Sequence, residues 1–222
     1  MEIDPDWLEA TWFVDSDSDA VGRFAHGAVG DATDERDKAV RLFLAVRDGF
    51  RYDPYGTDHD PSSFRASSVV ASERNWCVPK SVLLTAAARR SGIPARLGFA
   101  DVRNHLTSEK LTALMGTDLF YWHGYSVLLV NGRWCKVSSA FNIELCQRFG
   151  TKALDFDGTS DALMHPFDQA GNRHMEYVND RGVYDDLPFD AIQQTFAEKY
   201  PPSMVGGGAG AEAAGDDAFA QD

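Results

Sequence analysis

An α+β domain, with a helical part packed on an antiparallel β-sheet, is the fold class that three stretches of this 222-residue chain predict. In the first, Val82, Leu83, Ala86 and Ala87 recur at helical spacing, and Gly92 and Pro94 then stop the helix before the strand-like run Arg96-Leu-Gly-Phe-Ala. In the second, Asn131-Gly132 separates two β-rich runs, 122–130 and 133–137, which is the strongest short hairpin signal a sequence offers. In the third, Phe189, Ile192 and Phe196 line one side of an amphipathic segment over 187–199. Hydrophobic residues make up 44% of the chain, enough for a sizeable core in one domain of ordinary length.

Residues 1–34 read as an N-terminal extension packed on the core through Trp7, Leu8, Trp12, Phe13 and Val14. The acidic run Asp15, Asp17, Asp19 reads as a solvated turn or helix start. Its spacing begins like a calcium loop, but no Gly follows at the sixth position and no Glu at the twelfth. The main domain is predicted over 35–202. Thr33 is an N-cap candidate for a helix with the apolar stripe Ala39, Val40, Phe43, Leu44 and Val46, ended by Gly49. An extended or turn segment follows over 50–56, then a short helix over 64–70.

The next helix opens at Cys77. Pro79 suits a first turn, where its missing N–H would have no partner, and Arg89 and Arg90 suit the last turn. Gly92 suits the left-handed position that ends a helix. A helix is predicted over 108–115, then the hairpin strands, then a short helix over 143–150. From 152 to 183 the pattern is loop-rich, with short strand candidates at 154–156 and 175–178. The last helix, 187–199, is stopped by Pro201-Pro202. Residues 203–222 are mostly Gly, Ala, Asp and Glu with little to bury, and read as a disordered acidic tail.

Net charge is −13, which disfavours nucleic acid and anionic membranes as partners. Of the 34 acidic residues 25 are Asp, and of the 21 basic residues 15 are Arg, a balance that suits a high-salt cytoplasm. No apolar run approaches the ~18 residues of a membrane span, and no secretory signal is visible at the N-terminus. Three widely spaced cysteines without a CxxC suit a reducing compartment, so a cytoplasmic location is expected.

Cys77 carries the chemistry that can be read from residues alone. Unpaired N–H groups and the dipole at a helix start favour a thiolate, the reactive form of cysteine. A buried structural cysteine is the competing reading. A cysteine nucleophile needs a base and a group to orient that base. His123 lies 46 residues after Cys77 on the first hairpin strand, between Trp122 and Gly124. The orienting group is expected from the neighbouring strand, 135–142.

This order resembles the transglutaminase-like superfamily. The residues that carry the resemblance are Cys77, Gly92-Ile-Pro-Ala-Arg96, His123-Gly-Tyr125, Asn131-Gly132 and Trp134-Cys-Lys-Val137, spread over about residues 35–145. It implies a papain-like, transglutaminase-like core. It also implies acyl transfer or hydrolysis at a peptide, protein or small amide carbonyl through a Cys77 thioester, with no cofactor and no metal. Where the family has an Asp directly after its Trp-x-x-Val strand, this chain has Ser138. Asn142 is the alternative ring-orienting group, as an amide is in Cys-His-Asn sites. Asn75 and Trp76 are candidates for lining the acyl pocket or supporting an oxyanion. His105 is a candidate for the mouth of the site. His165 and His174, with Asp161 and Asp168, match no common zinc spacing. Cys135 and Cys146 read as core. Two other readings stay open: acyl transfer from a small thioester donor, and a non-catalytic binding module that kept the cleft and lost the acid.

Overall fold

The computed structural model describes residues 4–54, 59–105, 107–163 and 175–205. In chain order the elements are α1 (Asp19–Val29), α2 (Glu35–Gly49), β1 (Arg51–Tyr52), α3 (Ala66–Val70), β2 (Arg74–Asn75), α4 (Cys77–Arg90), β3 (Ala95–Asn104), α5 (Glu109–Met115), β4 (Leu119–Val130), β5 (Arg133–Val137), α6 (Ile143–Arg148), β6 (Met175–Tyr184), α7 (Phe189–Lys199) and α8 (Pro202–Val205). Strands β5-β4-β3-β6 form an antiparallel sheet, and β1 pairs with β2 in parallel. The architecture is α+β, as the sequence predicts.

Helix α4 is the centre of the molecule. Helices α1, α2 and α3 pack on it from one side and β3 and β4 from the other. A helix covered all round must be apolar all round or pair every polar group it buries. Its buried polar residues do pair. Ser81 Oγ donates to Val78 O at 2.7 Å, Thr85 Oγ1 to Ser126 Oγ at 3.0 Å, and Ser126 Oγ to Ser81 O at 3.0 Å. Arg89, expected merely to suit the helix dipole, is buried. It donates to the carbonyls of Ala95, Glu9 and Asp185 and so ties three segments to the end of α4. Gly92 ends the helix at φ +81°, and Ile93 N–H reaches back to Ala88 O.

Three expectations change. Asp15 is not a solvated turn residue: it is 3% exposed, and its carboxylate accepts from Ser67 N–H, Ser67 Oγ and Arg65. Segment 175–184 is one long strand, not a short candidate, with register shifts against β3. Residues 202–205 turn into α8, and Met204 packs on the core, so the chain stays structured past 203; residues 206–222 lie outside the described part. Within the described residues, no helix is long and apolar enough to cross a membrane.

Candidate active site

Cys77 occupies the first position of α4, and Trp76 caps the helix without a side-chain hydrogen bond. First-turn N–H groups of a helix have no intrahelical partner. Here the N–H groups of Cys77 and Val78 in that turn, the Gly124 N–H from β4 and the Lys80 charge favour the thiolate. Burial outweighs them and pushes the Cys77 thiol up to about 11. His123 is buried as well, and burial alone pulls it down to about 4. At neutral pH the two groups therefore stand as thiol and imidazole, both uncharged.

Strand β4 carries His123 to the helix start because Gly124 permits a close crossing. A Cβ at Gly124 would lie 2.8 Å from Ser81 Oγ and 3.0 Å from Val78 Cα, inside normal contact. The residue next to His123 must therefore be glycine for β4 to touch the first turn of α4. Lys80, one turn after Cys77, fixes the same region from inside. It is fully buried, and its ammonium donates to Arg47 O, Phe50 O and Ala140 O at 2.9, 2.8 and 2.8 Å. Three donors meet three acceptors, although burial lowers its pKa to about 7. Lys80 thus ties the end of α2 and the segment after β5 to the helix that presents the thiol. Lys80→Met leaves three buried carbonyls without a donor at ~1–3 kcal/mol for each unmade bond. The expected result is a large fall in the denaturant midpoint; an unchanged midpoint would show that water replaces the ammonium.

Cys77 and His123 open onto one cleft, of about 530 Å³ including its solvent-filled mouth. Tyr52 and Trp76 flank the thiol end. Phe120, Tyr121, Phe196, Tyr200 and Met204 also line it, and the Tyr121 and Tyr200 rings lie 5.6 Å apart. Trp76 leans on Phe64 and Phe196 at ring separations of 6.0 and 5.9 Å. His59 adds a polar tip: its Nδ1 meets Gln193 Oε1 at 2.7 Å and its buried Nε2 has no partner among the described residues.

The other sequence candidates are distributed unevenly. His123 Nε2, Ser138 Oγ and Ser139 Oγ are all buried without a hydrogen-bond partner among the described residues. The pairing of β5 with β4 ends at Val137, opposite Ser126, and the Ser138 N–H goes to Ala162 O at 2.8 Å. Asn142 is engaged elsewhere, since its Oδ1 accepts Tyr52 N–H at 3.1 Å. Asn75 turns its amide to Ser72 Oγ and is not among the cleft-lining residues, whereas Trp76 is. His105 lies away from the cleft and pairs with Glu176. Cys135 and Cys146 are buried free thiols, as expected. His165, His174 and Asp168 lie outside the described residues; among those described, no cluster of metal-ligating side chains occurs. Lys80 and His59 were not legible as site residues. A lone Lys in an apolar helix hints at burial but not at its partners, and His59 sits in an Asp- and Pro-rich connection without periodicity.

A family model described as "Transglutaminase-like superfamily" matches residues 22–139, more than half of the chain. Among solved structures, one described as a "Putative Cysteine Protease" from Cytophaga hutchinsonii matches with a TM-score of 0.50 and 17% identity. The match covers 83% of this chain and 49% of that one, so this chain spans about half the length of the structure it resembles, and at such low identity the likeness is one of fold. No curated protein matches the chain.

Proposed function

The chain belongs to the transglutaminase-like superfamily, and from that premise we propose that it is a thiol hydrolase acting on amide bonds of peptides or small amides. The observation that carries this reading is the meeting of Cys77, at the first position of α4, with His123 in one cleft. Because burial keeps the pair uncharged, His123 acts as a general base when substrate arrives. Cys77 Sγ attacks the carbonyl carbon as its proton passes to the imidazole. Negative charge gathers on the carbonyl oxygen near the N–H groups of the helix start. The imidazolium then gives its proton to the leaving amine as the C–N bond breaks, leaving a thioester. Water, deprotonated by the same imidazole, attacks the thioester and releases acid and thiol.

The cleft wall favours an apolar acyl group: its described lining is mostly aromatic and Met side chains, with no Asp, Glu, Lys or Arg. The orphaned Nε2 of His123 and hydroxyls of Ser138 and Ser139 favour a second reading, a cleft that binds such groups without turning them over. Intact mass after acid quench separates the two. With an N-acetyl-phenylalanine p-nitroanilide the expected result is an acyl adduct on Cys77, absent in Cys77→Ala and formed roughly 10²–10⁴-fold more slowly in His123→Ala. Binding of the same anilide with neither adduct nor hydrolysis would favour the second reading.

A further inference from the structure

Trp122 stands in a conformation that a large side chain rarely adopts. Its φ is +59°, in the left-handed region where the Cβ of an L-residue crowds the backbone. The register explains why. Ala100 pairs with His123 but Val102 pairs with Phe120, so Tyr121 and Trp122 together oppose the single residue Asp101. This is a β-bulge, a device that bends a strand and re-aims the side chains beside it. Where such a bulge needs a left-handed residue, glycine is the usual occupant. Here it is a buried tryptophan, and the next residue is His123.

Side chains from β3 and β6 surround the bulge. Trp122 N–H donates to Asp101 Oδ1 at 3.1 Å. Arg181 Nε donates to both Asp101 oxygens at 2.8 and 3.0 Å, and Asn179 Nδ2 donates to Oδ2 at 3.1 Å. The Arg181 guanidinium lies 4.8 Å from the centre of the Trp122 ring, and Trp122 Nε1 donates to Thr195 Oγ1 at 2.9 Å. Asp101 is itself buried. A buried carboxylate held by two side-chain donors spends its remaining capacity on one backbone N–H, that of the strained residue. Backbone strain of this kind persists only where surrounding structure over-determines it.

We propose that Asp101 is a positioning residue: fixed by Arg181 and Asn179, it holds Trp122 in the left-handed bulge and thereby aims His123 at Cys77. Asp101 does not act as the missing acid of the pair, since nothing but burial shifts His123. Arg181 and Asn179 lie beyond residues 22–139, so this brace is supplied by the part of the chain outside the family match.

The inference rests on the reading of Cys77 and His123 as a reacting pair, and its test keeps the two apart. One readout is geometric, the nuclear Overhauser contact between the His123 ring and the Cys77 β-protons. The other is the share of Cys77 alkylation by iodoacetamide that His123→Ala removes. Asp101→Ala should abolish the contact and lower that share about tenfold, because a left-handed Trp122 has lost its anchor. In a Trp122→Gly background, where glycine adopts positive φ freely, Asp101→Ala should change neither readout more than about threefold. Asp101→Asn keeps the volume and an acceptor for Trp122 N–H, so it should retain the contact; it decides the matter if Asp101→Ala does not fold. A merely structural role would lower the melting temperature equally in both backgrounds and leave the contact in place. That result, or loss of the contact in the folded Asp101→Asn protein, overturns the proposal. A parent protein that shows the contact but no His123-dependent alkylation sinks the catalytic reading and leaves the positioning inference standing on the contact alone.

Discussion

Replacing Ser138 with aspartate is expected to make Cys77 react with iodoacetamide roughly 10- to 1,000-fold faster near pH 7, the reach of one added opposite charge on a neighbouring pKa. The reason lies in what the parent site lacks. His123 is held near 4 by burial with no compensating charge, and its Nε2 has no hydrogen-bond partner. The Ser138 hydroxyl is likewise buried and unpaired among the described residues, at the position where the family resemblance implies an acid. A carboxylate there would accept a hydrogen bond from Nε2–H and stabilise the imidazolium. The imidazolium in turn stabilises the Cys77 thiolate, lowering a thiol that burial holds at about 11. Alkylation follows the thiolate fraction, so the rate reports the shift directly. A folded Ser138→Asp protein whose Cys77 reacts no faster would mean that position 138 does not address the ring.

Gly124→Ala is expected to damage fold and site together. The added methyl meets Val78 Cα and Ser81 Oγ within 3.0 Å, and the backbone atom cannot rotate away. Overpacking of this kind costs ~1–3 kcal/mol, or several degrees in melting temperature for a domain of this size. Moving β4 off α4 also separates Cys77 from the Gly124 N–H and from His123, so alkylation should lose its dependence on His123. Gly27→Ala is the control: no atom lies within 4 Å of the new Cβ, and a helical Gly-to-Ala change there should be neutral or stabilising. Equal effects at the two positions would remove close packing as the reason for Gly124.

Much of this arrangement is legible in the sequence because it is encoded locally. Asn131, at φ +48°, and Gly132, at φ +81°, make the turn that their residue types require, and Gly92 ends α4 for the same reason. Cys77 and His123 could be singled out because a helix start and a strand flanked by glycine are local patterns. What stayed hidden depends on partners far along the chain. Asp101 reads as an ordinary acid after a strand until Asn179 and Arg181 arrive on β6. Strand β6 itself hides because two register shifts break its alternation. Asp15 looks solvated because its run is acidic, yet its role is to accept the N–H and hydroxyl of Ser67. Ser138 stands at the expected acid position and Asn142 is its alternative for orienting His123; only the tertiary fold shows that the Asn142 carbonyl accepts an N–H of β1.

The uncharged resting pair of Cys77 and His123 is tested most directly by the pH dependence of Cys77 alkylation, read by mass spectrometry in the parent and in His123→Ala. A thiol raised to about 11 carries almost no thiolate near pH 7, and an imidazole lowered to about 4 is already a free base there. The expected profile has two parts: a His123-dependent rate that is level across about pH 5–8, where thiol and neutral imidazole are both present, and a thiolate rate that climbs toward the thiol pKa and survives in His123→Ala. A preformed thiolate–imidazolium pair would give the same level rate but would also show thiolate ultraviolet absorbance at about pH 7, absent from Cys77→Ala. That absorbance, or parent and variant alkylation profiles that coincide throughout, would contradict the role assigned here to His123.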